Sequence, residues 1–371
     1  MSNSINSLAR DAVKAIVPYA SARSSMSGGA IWLNANENAL APEYQLSGSF
    51  NRYPSCQPKA VINGYAAYAG VTPEQVLVSR GADEGIELLI RSFCEPKQDS
   101  ISICPPTYGM YAISAQSNQV AVNIVPLTAD STLDLAALFS TTPKLVFICS
   151  PNNPTGDLIP REQIIAVLEH YKDSALVVLD EAYIEFAPQA SVVDLLPQYP
   201  NLVILRTLSK AFALAGLRCG FTLAAPDIIN ALKQMIAPYP LAEPVAQIAA
   251  QALTAESVAL MQNTVATINT LRAEFIAYAR QCRGITKVWP SNANYVLLQV
   301  DDAAACVAAL AQQGILIRNQ SSQLGLSQVV RVSIGSPAEM QALYSVMDDY
   351  FNSQTTLQQA ALQQTAQRER A

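Results

Sequence analysis

The chain has 371 residues, half of them apolar, with 23 Lys and Arg against 29 Asp and Glu for a formal charge of −6. That length suits one large and one smaller domain on the usual scale of roughly 150 residues each, and a negative charge without basic blocks argues against nucleic acid as the main partner. A single histidine, His170, excludes Ser-His-Asp triads, Cys-His dyads and histidine-rich metal sites, leaving a lysine as the neutral-pH proton shuttle.

The opening M-S-N-S-I-N-S-L-A-R lacks the charged-then-apolar layout of a signal, and no apolar stretch approaches the ~18 residues of a membrane span. Residues 76–90, V-L-V-S-R-G-A-D-E-G-I-E-L-L-I, read as a short strand passing through Gly81 into an amphipathic helix. Apolar runs at 100–104, 120–125, 144–149, 176–179, 202–206 and 219–224 predict strands alternating with longer helical patterns, the arrangement of a doubly wound sheet. One such helical pattern, 160–171, carries His170 near its end, where a cation meets the helix C-terminus favourably. The A-P-Y-P at 237–240 breaks the alternation, and an Ala- and Gln-rich helical stretch follows. Residues 289–348 read strand, helix, strand, strand, helix, and are expected to form a small domain with the segment before about 42. The expected organisation is an N-terminal arm (1–42), a large domain (43–240), a helical connection (241–285), a small domain (286–352) and a low-complexity tail (353–371), read as a frayed helix or disorder. The seven cysteines form no C-x-x-C pair and lie mostly in apolar runs, which predicts reduced, buried thiols and a reducing cytoplasm.

Chemistry concentrates after the buried strands. Residues 175–183, A-L-V-V-L-D-E-A-Y, place Asp180 at a carboxyl end, where open α/β sheets put ligands. A carboxylate there can keep a pyridine nitrogen protonated and so make the ring an electron sink. Lys210 follows Ser209 in T-L-S-K-A-F-A-L-A-G-L-R, eight residues before Arg218. A lysine desolvated beside a cation loses its proton readily and can form a Schiff base with an aldehyde cofactor. Together with Asn153 of S-P-N-N-P-T-G, this order points to a pyridoxal-phosphate site. Asn153 and Tyr183 can bond the ring's phenolic oxygen, although N-P-T-G alone reads as an ordinary turn. The amides of Ala82 and Asp83 would open a helix beside Gly81 and hold an anion, joined by Thr207, Ser209 and the planar fork of Arg218. Tyr108 in C-P-P-T-Y-G-M-Y offers a flat ring to stack on the pyridine, or else is a core tyrosine.

From about residue 8 to about 350 the chain resembles the histidinol-phosphate aminotransferase family, of the aspartate-aminotransferase fold type of pyridoxal-phosphate enzymes. The likeness is carried by W-L-N-A-N-E (32–37), N-R-Y-P (51–54), V-S-R-G-A-D-E-G-I-E-L-L, C-P-P-T-Y-G-M-Y, S-P-N-N-P-T-G, D-E-A-Y-I-E-F, R-T-L-S-K-A-F-A-L-A-G-L-R-C-G and R-V-S-I-G. It implies a large domain with a mostly parallel doubly wound sheet plus a smaller α/β domain, and a homodimer with shared active sites. Lys210 is implied as the Schiff-base lysine, Asp180 as the partner of the pyridine nitrogen, and Asn153 and Tyr183 as partners of the ring oxygen. Tyr108 is implied on the ring face, and Ala82, Asp83, Ser209 and Arg218 on the phosphate, with Tyr53 reaching it from the neighbouring subunit. Tyr19, Arg318 and Arg331 match positions that hold the substrate's phosphate end, and Asn36 is placed with the substrate-binding residues. One departure is Asn38-Ala39, where an aromatic residue or Asn followed by Pro is expected. The implied reaction exchanges an amino group between L-histidinol phosphate and 2-oxoglutarate. A threonine-phosphate decarboxylase, an aromatic amino-acid aminotransferase and a cofactor-binding regulatory module remain alternatives.

Overall fold

The computed structural model describes residues 8–26 and 28–368; residues 1–7 of the N-terminal stretch and 369–371 of the low-complexity tail lie outside the described residues. Thirteen strands are present among them: β1 (Ile31–Trp32), β2 (Val76–Ser79), β3 (Ser100–Ile103), β4 (Ala121–Ile124), β5 (Leu145–Cys149), β6 (Leu176–Asp180), β7 (Leu202–Thr207), β8 (Gly220–Ala224), β9 (Ile285–Val288), β10 (Tyr295–Val300), β11 (Ile315–Leu316), β12 (Arg318–Asn319) and β13 (Val329–Ser333). Seven of them form one sheet in the order β2-β8-β7-β6-β5-β3-β4. Its pairings are parallel from β4 through β7, while β8 is antiparallel to both neighbours, so β8 alone runs against the rest.

The central strands are apolar on both faces because both faces are covered. Val177 and Leu179 of β6 enter one core with Val146, Ile148 and Ile204, whereas Val178 enters the opposite core with Phe147, Val203 and Leu205. The helix Ala82–Phe93 seals the second face with Ile86, Leu89 and Ile90, and the helix Pro226–Met235 adds Ile229 and Leu232. The fold is therefore α/β with a mostly parallel, doubly covered sheet. The expected strands match in order, each within a residue at either end.

Four further strands form an antiparallel sheet ordered β12-β13-β10-β9. The N-terminal segment joins this region: β1 pairs parallel with β11, and Leu33 accepts a backbone bond from Ser333 at the end of β13. Strand β9 precedes the range in which the sequence placed strands. It is an edge strand with Thr286 and Lys287 exposed, so it shows no sustained apolar alternation. The last helix, Pro337–Arg368, runs on past 353, where fraying or disorder was expected. Five cysteines are buried as predicted, while Cys56 and Cys282 are half-buried, and all seven are free.

Candidate active site

The carboxyl ends of β5, β6 and β7 and the N-terminus of the helix after β2 open into one pocket. Asp180, the last residue of β6, is buried beneath it. Its Oδ2 accepts the Tyr111 hydroxyl at 2.6 Å and its Oδ1 accepts the Ala182 amide at 3.0 Å. Burial pushes the carboxyl up to about 6, against the lowering pull of those two bonds.

Gly81 reaches the helix with a φ of 81° and supplies no side-chain cap, so the first amides, at Ala82 and Asp83, are left for an anion. A Cβ at Gly81 would stand 2.7 Å from Arg218 Nη2, and one at Gly220 would stand 2.4 Å from the Ala82 nitrogen. Both glycines thus let backbone and guanidinium close around one small space. Arg218 donates from Nη1 to Ser209 Oγ at 3.3 Å and from Nη2 to Asp83 Oδ2 at 3.2 Å. Thr207 Oγ1 lies 2.8 Å from Ser209 Oγ and accepts the Ser209 amide at 3.1 Å.

Lys210 lies in the same pocket, its Nζ donating to the Ala35 carbonyl at 3.2 Å. Burial, and then the positive charge of Arg331, hold its ammonium down to about 8. Tyr108 lines the wall, bonds Asp83 Oδ1 through its hydroxyl at 2.9 Å, and meets Tyr19 edge-on at 6.0 Å. Asn153 accepts Arg331 Nη1 at 2.6 Å through Oδ1, while Arg331 Nη2 donates to the Asn34 carbonyl at 3.1 Å. Arg331 Nε is buried without a partner among the described residues.

Asn36 and Arg318 are tied to the protein itself. Asn36, in the left-handed region that Asn tolerates (φ 53°), donates from Nδ2 to the Tyr183 hydroxyl at 2.9 Å, and its Oδ1 accepts Ser333 Oγ at 3.1 Å. Arg318 Nη1 donates to the Ser21 carbonyl at 3.2 Å and to Ser25 Oγ at 2.9 Å, and Nη2 donates to the Ala20 carbonyl. Both residues still line the pocket. Tyr53 does not; it is 81% exposed and stacks on Tyr239. His170 ends its helix, exposed and stacked on Phe139, away from the pocket lining. The Asn38 departure has a use: its Nδ2 donates to the Ala211 carbonyl, next to Lys210, at 3.1 Å.

The donor set fits pyridoxal phosphate. An anion cradle, a lysine of lowered basicity and a buried carboxylate face one cavity, and the Arg331 guanidinium lines it as well. Sequence reasoning missed Tyr111, Asn34, Gln320 and Cys149. Tyr111 follows Tyr108 by three residues within the same quoted motif, a closeness that could have drawn attention to it.

The family model "Aminotransferase class I and II" matches residues 30–346. A histidinol-phosphate aminotransferase of Aeromonas hydrophila subsp. hydrophila is 54% identical over 349 residues, covering 93% of this chain and 98% of that one. The chain belongs to the histidinol-phosphate aminotransferases, within class I and II. A second relative in this family, from Yersinia pestis, is 53% identical and covers 93% of this chain and 91% of its own length. Among solved structures, histidinol-phosphate aminotransferase from Sinorhizobium meliloti in complex with pyridoxal-5'-phosphate superposes with a TM-score of 0.82 at 23% identity, covering 95% of this aminotransferase and 98% of that chain. An L-threonine-O-3-phosphate decarboxylase from Porphyromonas gingivalis reaches 0.73 at 20% identity over 87% of this chain and 100% of that one. At these identities both structures speak to the fold alone, which proteins of either name share.

Proposed function

We propose that this chain is a pyridoxal-phosphate-dependent enzyme that exchanges the amino group of L-histidinol phosphate with 2-oxoglutarate in histidine biosynthesis, as a cytoplasmic homodimer. The observation that carries the reading is the 54% identity over 98% of the Aeromonas relative. The pocket's charges support it. When bound, pyridoxal phosphate supplies an aldehyde for the amine and a ring that withdraws electrons from Cα.

The chain's residues divide the remaining work. Lys210 Nζ would hold the cofactor covalently and would serve as the base for the substrate's Cα proton; its lowered basicity suits a base acting near neutral pH. Asp180 would pair with the pyridine nitrogen and keep it protonated. Asn153, whose Oδ1 is occupied by Arg331, keeps Nδ2 for the ring oxygen, and Tyr183, held by Asn36, bonds the same oxygen. Tyr108 covers the ring. Ala82 and Asp83 amides, Thr207, Ser209 and Arg218 hold the phosphate, and Tyr53 reaches it from the partner copy. Arg331 binds the phosphate of one substrate and the carboxylate of the other, with Arg318 and Tyr19 closing the phosphate end. We assign cofactor binding to a large domain (43–240) and the substrate arginines to a small one (286–352).

Steady-state assay with histidinol phosphate and 2-oxoglutarate tests the reading. Equal turnover of unphosphorylated histidinol would favour an aromatic aminotransferase, and carbon dioxide release from threonine phosphate would favour the decarboxylase. Binding of the cofactor with no turnover of any of these would leave a regulatory module.

A further inference from the structure

Tyr111 has no role in the scheme above, yet it makes the shortest bond to Asp180. The residue is fully buried in the helix Met110–Ser117, with its ring stacked on Phe147 at 4.8 Å and 16°. Phe147 belongs to β5, the strand beside β6, so the sheet itself fixes where the hydroxyl points. The hydroxyl ends 2.6 Å from Asp180 Oδ2. Tyr108, three residues earlier and ahead of that helix, meets the Tyr111 ring edge-on at 5.7 Å and lines the pocket. One aromatic wall therefore presents Tyr108 to the cavity and Tyr111 to the carboxylate behind it.

We propose that Tyr111 is a positioning residue that holds the Asp180 carboxylate ionised and aimed at the cofactor ring; this rests on the assignment of Asp180 to the pyridine nitrogen. Two physical arguments support it. First, among the described residues the Asp180 carboxylate is otherwise bonded only by the Ala182 amide at Oδ1, and Tyr111 is the one partner of Oδ2. Second, a hydrogen bond donated to the charged form favours ionisation in a group that burial pushes the other way. The other titratable groups that act on Asp180 or Tyr111 are Asp83, Cys149, Tyr183 and Lys210, and among them only Lys210 bears a positive charge. Tyr111 itself stays neutral and a donor, because burial and the Asp180 charge push its hydroxyl far above the usual range.

The test uses the holoenzyme of Tyr111→Phe, loaded with cofactor labelled with ¹⁵N in the ring. The pyridine nitrogen signal should shift toward that of the neutral ring. The visible-band pH titration should move by about one unit, and kcat should fall about tenfold with KM nearly unchanged, as loss of a hydrogen bond to a charge requires. An unchanged nitrogen signal and titration in a folded variant would overturn the inference. Asp180→Asn serves as the control. If it also leaves the nitrogen signal unmoved, the assignment of Asp180 fails and takes the inference with it; if it moves the signal and Tyr111→Phe does not, the inference alone fails. Should Tyr111→Phe not fold, 3-fluorotyrosine at position 111, a stronger donor of the same shape, decides: the titration must move in the opposite direction.

Discussion

Arg331 Nη1 and Asn153 Oδ1 meet at 2.6 Å, joining β13 of the antiparallel sheet to the loop that leaves β5. The bond is charge-assisted and largely shielded from water, so it fixes both the guanidinium plane and the amide's orientation. One N–H of Nη1 goes to Asn153 and one of Nη2 to the Asn34 carbonyl, so each terminal nitrogen keeps a second N–H for an incoming oxyanion.

Arg331→Lys keeps the charge but loses the fork. We expect kcat/KM to fall about ten- to a hundredfold in both half-reactions, equivalent to ~1.5–3 kcal/mol. Single-turnover absorbance with histidinol phosphate and with glutamate reads the two halves separately. A loss confined to histidinol phosphate would place the carboxylate site elsewhere. Arg318→Ala should penalise histidinol phosphate far more than glutamate.

Lys210 should become reactive as pH rises through about 8, where burial and Arg331 hold its ammonium, rather than near the ordinary lysine value. The apoprotein's uptake of pyridoxal phosphate, followed by absorbance, should rise about tenfold per pH unit below that point and level off above it. Arg331→Ala removes a lowering charge and should move the inflection upward. Lys210→Ala should release cofactor on addition of amine and lose at least ~10²–10⁴ of turnover. Near-normal activity in Lys210→Ala would end the assignment.

Tyr53 stacks on Tyr239 with ring centroids 4.3 Å apart and stays largely exposed in the single chain. If it completes the partner's phosphate site, mixing severely impaired Tyr53→Phe with Lys210→Ala under subunit exchange should restore part of the activity, since heterodimers regain one intact site. Full activity of a monomer at assay concentration would count against the shared site.

Glu185 is buried near Tyr68, its carboxylate oxygens have no partner within hydrogen-bonding geometry among the described residues, and the neighbouring Arg206 is committed to Glu181 at 2.9 Å. Burial pushes the Glu185 carboxyl from 4.5 up to about 7. Between those values the folded protein keeps a proton that the unfolded chain has released. The associated stability is complete below about 4.5 and disappears as pH rises through about 7, a change on the order of 3 kcal/mol. Glu185→Gln removes that dependence, so thermal melts should show the variant gaining on its parent as pH is raised across this window. Parallel melting curves for the two proteins would contradict the buried carboxyl's role.

Much of this site was legible because its residues sit at strand ends, and buried strands announce themselves as apolar runs closed by polar residues. Asp180 and Thr207 end β6 and β7, and Lys210 follows three residues later, so locating the strands located the chemistry. Bonds between distant segments left no such trace. Nothing local pairs Asn36 with Tyr183, 147 residues apart, or turns Tyr111 toward Asp180, 69 residues away. The edge strand β9 escaped for a different reason: with two of its four residues exposed, it lacks the apolar signature.

Arg318 spends its guanidinium on the Ala20 and Ser21 carbonyls and Ser25 Oγ, all in the segment ahead of β1. The segment that gives Tyr19 and Ala22 to the pocket lining is thus tied down by an arginine that lines the same pocket, and if the substrate's phosphate binds there it must compete with the chain's own carbonyls for that charge. A change at Ser25, whose Oγ takes one of those bonds, would therefore reach the pocket wall although Ser25 is not part of its lining.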